Sequence, residues 1–209
     1  MNKNCALLLV DLQNDFCAGG SLEVPGGDEV MPYANLLQPL FHHVIATQDW
    51  HPHDHVSFAA NHVDAAVGDV VPVDYIQQIL WPVHCVQGTR GAEFHPDFDT
   101  HRVTHIVHKG TDKSIDSYSA FFDNEHLRST ELADYLHEHG VTTLYIMGLA
   151  ADYCVKYSVL DAIQLGFDVT VIEDGCRGVE LKVGDIESAF AEMRAAGAKM
   201  VRSEAILKS

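Results

Sequence analysis

The sequence predicts an α/β fold: a doubly wound, mainly parallel sheet with helices on both faces, a three-layer Rossmann-like arrangement. Three observations predict it. Short apolar runs recur along the chain, Leu7-Leu8-Leu9-Val10, Val44-Ile45-Ala46-Thr47-Gln48, His105-Ile106-Val107-His108 and Thr143-Leu144-Tyr145-Ile146-Met147. Runs of this length, rich in β-branched residues, read as buried strands. Segments with helical spacing separate them, and strands alternating with helices imply parallel pairing through crossover connections. Each run also stops at a side chain with chemistry: Asp11; Asp49 with His51 two residues on; Lys109; and Gly148-Leu149-Ala150 ahead of Cys154. Ligands of open α/β sheets bind just beyond the carboxyl ends of the strands. The pattern therefore predicts one cleft that holds a carboxylate, an ammonium, a thiol and an Asp/His metal-ligand group.

In chain order, the first strand is expected over about Cys5 to Val10. A helix follows from Pro32 to Phe41, with Leu36, Leu37 and Leu40 at helical spacing. The second strand covers Val44 to Gln48. A long irregular stretch is expected from Asp49 to about Asp99, broken by Pro52, Pro72, Pro82 and Pro96; structureless stretches this long inside a domain are usually functional. Strand three covers Val103 to Lys109. Leu132 to His139 reads as a helix capped by Gly140, and strand four covers Thr143 to Gly148. A helix is expected from Val155 to Leu165, stopped by Gly166, then strand five from Asp168 to Glu173. Ile186 to Ala196 forms the last helix, stopped by Gly197, and Lys199 to Arg202 the last short strand. With no internal repeat, low-complexity segment or linker, the expectation is one domain over 1–209.

Composition narrows the function. The 209 residues carry a formal charge of −17, from 13 basic and 30 acidic side chains. Nucleic-acid binding needs a basic footprint, and an anionic lipid surface is disfavoured on the same ground. A neutral or weakly charged small molecule fits better. No apolar run approaches the ~20 residues that span a membrane, and Met1 to Asn4 leads straight into the first strand, so the expected location is cytoplasmic. The five cysteines, Cys5, Cys17, Cys85, Cys154 and Cys176, are odd in number and include no CxxC pair. A disulfide framework is not expected.

Cys154 is the candidate nucleophile. It lies beyond a strand at the start of a helix, where unpaired N–H groups and the dipole stabilise a thiolate and the same N–H groups can hold an oxyanion. The other cysteines lack that placement and read as inert. A thiol nucleophile needs a proton acceptor, and Asp11 converges on the same cleft as the base. Lys109 supplies a positive charge, expected to lower both the thiol and the carboxylate pKa. Asp49 and His51, two apart on extended chain, point the same way. With His84 from Trp81-Pro82-Val83-His84-Cys85 they form a candidate site for one divalent metal ion, zinc first, with iron and manganese as alternatives. His53 and His55 compete as local ligands.

Several longer segments carry a resemblance. They are Asp11-Leu12-Gln13-Asn14-Asp15-Phe16, Thr47-Gln48-Asp49-Trp50-His51-Pro52, His55-Val56-Ser57-Phe58 and Trp81-Pro82-Val83-His84-Cys85-Val86-Gln87-Gly88-Thr89. Further along come Lys109-Gly110-Thr111-Asp112, Ile115-Asp116-Ser117-Tyr118-Ser119-Ala120-Phe121 and Gly148-Leu149-Ala150-Ala151-Asp152-Tyr153-Cys154-Val155. In this order they make the chain resemble the nicotinamidases (pyrazinamidases) of the isochorismatase-like cysteine hydrolase superfamily, across nearly its whole length.

The resemblance implies a metal-dependent hydrolase of linear amides that converts nicotinamide to nicotinate and ammonia, a step of NAD salvage, and also accepts pyrazinamide. It implies Asp11, Lys109 and Cys154 as catalytic residues and a thioester on Cys154. The N–H groups of Ala150 and Cys154 would form the oxyanion hole, with a cis peptide between Leu149 and Ala150. The metal, on Asp49, His51 and His84 with His55 left as a fourth position, would bind the pyridine nitrogen. Phe16, Trp81, Tyr118 and Leu149 would wall the pocket for a flat ring. Two alternatives stay open: another cysteine amidohydrolase of the superfamily acting on a carbamoyl or ureido compound without metal, and a non-catalytic domain that binds a metabolite or partner. A homo-oligomer is also left open.

Overall fold

The computed structural model describes residues 1–73 and 76–208. Asp74, Tyr75 and Ser209, which fall inside the expected irregular stretch and domain range, lie outside the described residues. In chain order the elements are β1 (Cys5–Val10), α1 (Met31–Leu37), β2 (His43–Asp49), β3 (Val70–Val73), β4 (Ile76–Ile79) and β5 (His105–Lys109). They continue with α2 (Leu132–Glu138), β6 (Thr143–Leu149), α3 (Lys156–Gln164), β7 (Asp168–Arg177), α4 (Asp185–Ala196), β8 (Lys199–Val201) and α5 (Ser203–Leu207).

Six strands form one parallel sheet in the order β5-β2-β1-β6-β7-β8. The two apolar strands at its centre are buried, Ala6 to Val10 in β1 and Leu144, Ile146 and Met147 in β6, which is why they read as unbroken apolar runs. The chain winds one way from β1 to β2 and the other way from β6 through β7 to β8. Right-handed crossovers then place α1 on one face and α3 and α4 on the other. Packing agrees: α3 lies against α4, and α1 against α5. The reversal of winding falls between β1 and β6, and a doubly wound sheet binds its ligand at the carboxyl end of such a switch point. Asp11 and Cys154 follow these two strands. Among the described residues, no helix is long and apolar enough to cross a membrane.

The differences from the sequence expectation have local causes. The helix expected over 32–41 ends at Leu37 and tightens into a short 3₁₀ turn over Gln38–Leu40. Pro39 has no N–H to continue the ladder, and its ring would meet the carbonyl of Asn35. The stretch after Asp49 is not wholly irregular, since β3 and β4 pair as an antiparallel ribbon with Val71 opposite Gln78; Pro72 is tolerated in a two-stranded ribbon, where both strands are edges. β7 runs on past Glu173 to Arg177 because it bulges. Ile146 pairs with Val171, but Gly148 pairs with Cys176. In the bulge Asp174 accepts hydrogen bonds from the backbone N–H and hydroxyl of Ser203, at 2.8 and 2.7 Å, and so starts α5, a helix not expected from sequence. The helix after β6 opens with a π turn over Ala151–Val155, and regular α3 begins only at Lys156. Cys154 therefore sits in an irregular turn ahead of the helix. The remaining boundaries agree within two residues.

Candidate active site

Four strand ends meet at the switch point. Lys109, at the end of β5, is fully buried and joins them. Its Nζ lies 2.8 Å from Asp11 Oδ2, 3.3 Å from Cys154 Sγ and 3.2 Å from the Ser117 carbonyl, and it pairs closely with Asp49 Oδ1. Carboxylate oxygens of Asp11 and Asp49 and the Cys154 sulfur all lie within 4.8 Å of one another.

Asp11 is held in a left-handed backbone conformation, with φ of 52°, one that Asp adopts more readily than most residues. Its N–H donates to Thr47 Oγ1 at 3.0 Å, and the Thr47 hydroxyl donates back to Asp11 Oδ1 at 2.5 Å. Asp11 Oδ2 has its ion pair with Lys109 but no well-directed hydrogen bond, so that oxygen keeps a lone pair for an incoming proton. Gln13 braces the next strand: its side-chain amide donates to the Asp49 carbonyl and accepts from the Asp49 N–H, both at 2.8 Å.

Burial sets the protonation states. It pushes the Cys154 thiol well above its usual range, against the pull of Lys109. It also raises the Asp11 carboxyl, again against Lys109. The sequence expectation that Lys109 lowers both is thus outweighed by desolvation. Burial disfavours the charged form of Lys109 too, but Asp11, Asp49 and Cys154 together hold it well above the usual lysine range. For Asp49, burial is overcome by Lys109 and His51, and the carboxyl stays well below its usual value. The resting arrangement is a neutral thiol beside an ammonium, with Asp11 placed to take the thiol proton.

Asp49, His51 and His84 converge on the far side of Lys109, all buried, with ligand atoms within 4.8 Å of one another. His51 Nδ1 donates to the Gly110 carbonyl at 2.9 Å and His84 Nδ1 to the Pro82 carbonyl at 2.8 Å. Those bonds fix both tautomers, leaving two Nε2 lone pairs 3.6 and 3.7 Å from Asp49 Oδ2. Electron-rich atoms facing one another in a buried space need a cation. In a chain without one, burial lowers the His51 pKa, but the Asp49 charge outweighs it and draws a proton there. The donor set fits a metal ion.

His55 is not in that group; its ligand atom instead lies within 4.8 Å of those of His51 and Asp116. Its Nδ1 contacts Ser57 Oγ at 2.7 Å and its Nε2 the Ile115 carbonyl at 3.3 Å, and burial lowers its pKa to about 4. It packs against the His51 ring, with ring centres 4.1 Å apart, and so buttresses it. His53 is exposed. Gly110 touches the same ring: it has φ of +63°, and a methyl group there would collide with His51. Gly110→Ala is expected to lower metal affinity by about 10–100-fold, the usual range for disturbing a ligand's support, as read by competition with a chelator.

Beside the thiol and the metal-ligand group opens a narrow pocket. Of the expected walls, Phe16, Trp81 and Tyr118 line it, with Ala150 and Cys154 at its floor. Leu149 does not; it is fully buried and contributes the cis peptide that joins it to Ala150. The N–H groups of Tyr153 and Val155 both donate to the Ala150 carbonyl at 3.1 Å, and that of Cys154 takes part in neither bond. Trp81 Nε1 donates to the Tyr118 hydroxyl at 3.1 Å, and the Tyr153 ring stands edge-on to Trp81, 4.9 Å away.

Sequence reasoning missed Leu22, Asp116, Tyr153 and Val179 in this lining. Asp116 and Tyr153 sat inside segments already quoted. Val179 had no signal of its own; the Asp152 carboxylate holds it there by accepting from the N–H groups of Val179 and Glu180, at 3.0 and 2.7 Å.

A family model for the isochorismatase domain matches residues 5–205. The chain is 51% identical over 201 residues to the nicotinamidase of Escherichia coli, covering 93% of each. It superposes on the nicotinamidase/pyrazinamidase of Acinetobacter baumannii with a TM-score of 0.96 at 44% identity, covering 99% of each. The pyrazinamidase of Pyrococcus horikoshii, solved in complex with zinc, superposes with a TM-score of 0.77 at 35% identity, over 95% of this chain and 99% of that one.

Proposed function

The chain belongs to the isochorismatase family, and from that premise we propose that it is a nicotinamidase: a metal-dependent cysteine amidohydrolase that converts nicotinamide to nicotinate and ammonia and also hydrolyses pyrazinamide. The observation that carries this reading is the junction of two functions at Lys109, whose ammonium touches Asp11 and Cys154 on one side and the ligand carboxylate Asp49 on the other.

Asp11 takes the Cys154 proton as the sulfur attacks the carboxamide carbon, and Lys109 compensates the negative charge that develops on sulfur. The Ala150 and Cys154 N–H groups are the donors assigned to the oxyanion. Asp11 then passes the proton to the departing nitrogen, which leaves as ammonia, and the acyl group stays on sulfur as a thioester. Water enters, Asp11 takes its proton, hydroxide attacks the thioester, the proton returns to sulfur, and the acid released gives its own proton to solvent as nicotinate. Asp49, His51 and His84 would hold a divalent ion, for which zinc is proposed, and it would supply Lewis acidity toward a ring nitrogen. Phe16, Trp81 and Tyr118 clamp the flat ring.

The test is release of ammonia and nicotinate in equal amounts from nicotinamide. The expected result is turnover with about one catalytic metal per chain, lost on chelation and restored by zinc. Full turnover by metal-free protein would contradict the role given to Asp49, His51 and His84. No turnover by metal-loaded protein would remove nicotinamide as the substrate.

A further inference from the structure

A second group of metal-type donors lies outside the catalytic cluster. Cys17 follows the cavity residue Phe16, Asp28 sits in the short turn Gly27–Val30, and His95 belongs to the loop that precedes β5. Their ligand atoms lie within 4.8 Å of one another. His95 Nε2 is 3.3 Å from Asp28 Oδ1. That is long for a charge-assisted hydrogen bond, about 2.7–2.9 Å. It suits two donors on one tetrahedral ion, which bonds nitrogen and oxygen at about 2.0–2.2 Å.

Cys17 and His95 are anchored through their backbones, and Asp28 through its carboxylate. The Cys17 N–H donates to the Asn14 carbonyl at 3.1 Å, the His95 N–H to the Leu12 carbonyl at 2.9 Å, and the Asp28 Oδ2 accepts from the Ala18 N–H at 3.1 Å. Cys17 is buried while the Asp28 side chain is 42% exposed, so three protein ligands would leave a fourth position toward water.

We propose that Cys17, Asp28 and His95 form a second, structural site for a zinc-class divalent ion. A thiolate, an imidazole and a carboxylate together favour zinc over calcium or magnesium. Loading releases the Cys17 thiol proton to solvent. The His95 ring proton moves from Nε2 to Nδ1, exchanging the 3.3 Å contact with the Asp97 N–H for one with the Asp97 carboxylate, now 4.0 Å away. A carboxylate behind a ligating histidine is a common support in zinc sites. The ion would tie the segment that bears Phe16 and Leu22 to the 90–99 loop, fixing two walls of the cavity.

The test uses full-length Cys154→Ala protein, which removes the catalytic thiol as a competing ligand. Stripped protein is titrated with Zn²⁺ and, separately, with Co²⁺. The expected result is two Zn²⁺ per chain and a near-ultraviolet thiolate-to-cobalt band. Adding Cys17→Ser should remove one equivalent and the band. If that variant does not fold, His95→Gln is read in its place, with the same loss expected. One equivalent per chain before the second substitution, or a band that survives it, overturns the proposal.

Discussion

Cys154→Ala is expected to abolish nicotinamide hydrolysis, lowering kcat by about 10⁴–10⁶-fold, the scale on which nucleophile removal acts in hydrolases that work through a covalent intermediate, while leaving the unfolding midpoint close to that of the parent. The two halves of this expectation rest on different facts. The sulfur lies beside the cavity where Asp11 is placed to deprotonate it and Lys109 to stabilise it as an anion, and the alanine methyl offers no nucleophile in its place. Because burial keeps the thiol protonated at rest, removing it strips no charge from the site. Lys109 retains Asp11, Asp49 and the Ser117 carbonyl. Ammonia release and thermal unfolding on one preparation check both. A folded variant with more than about a hundredth of parental activity would show that water attacks directly and that no thioester forms.

Lys109→Met is expected to fail on both counts. The side chain is fully buried between two carboxylates, and methionine fills similar space without the charge. Removing one partner of a buried ion pair costs about 3–5 kcal/mol, because the charge left behind has no compensation. In a chain of this size that corresponds to a drop of roughly 6–20 °C in Tm. Asp11 avoids part of the cost by holding a proton to still higher pH, which makes it a poorer base at neutrality. Activity is therefore expected to fall by about 10³-fold. Denaturant unfolding of metal-loaded protein measures the first effect and steady-state kinetics the second. A variant within about 1 kcal/mol of the parent would mean that the carboxylates do not depend on the ammonium.

Asp11, Asp49 and Cys154 were legible because each ends or follows an apolar strand buried in the sheet; Lys109 was legible from position alone, since it ends the half-exposed edge strand β5. A strand covered on both faces leaves little freedom in its register, and parallel neighbours end side by side. Residues placed by loops were less visible. Val179 reaches the cavity only because Asp152 holds its backbone, and Leu22 arrives on an irregular segment. Thr47 was hidden inside an apolar run, where a hydroxyl looks like an ordinary strand residue. Strand five was expected to stop at Glu173, yet the strand bulges on to Arg177, where Asp174 accepts from the Ser203 backbone N–H. Two pKa directions were also misjudged, since spacing reveals that a lysine is near a thiol but not that water is absent.

The central position of β1 has a consequence for how the chain is made. Within this sequence β1 is made before the strands that flank it, and its neighbour β2 follows soon after. Its other edge pairs with β6, Val10 opposite Gly148. At about 5–20 residues per second, that edge waits roughly 7–30 s for its partner. Throughout that interval Ala6-Leu7-Leu8-Leu9-Val10 offers unpaired backbone and apolar side chains, the combination that recruits foreign strands. The segment that ends in Asp11 is thus a liability to aggregation during synthesis, and slower translation would lengthen its exposure.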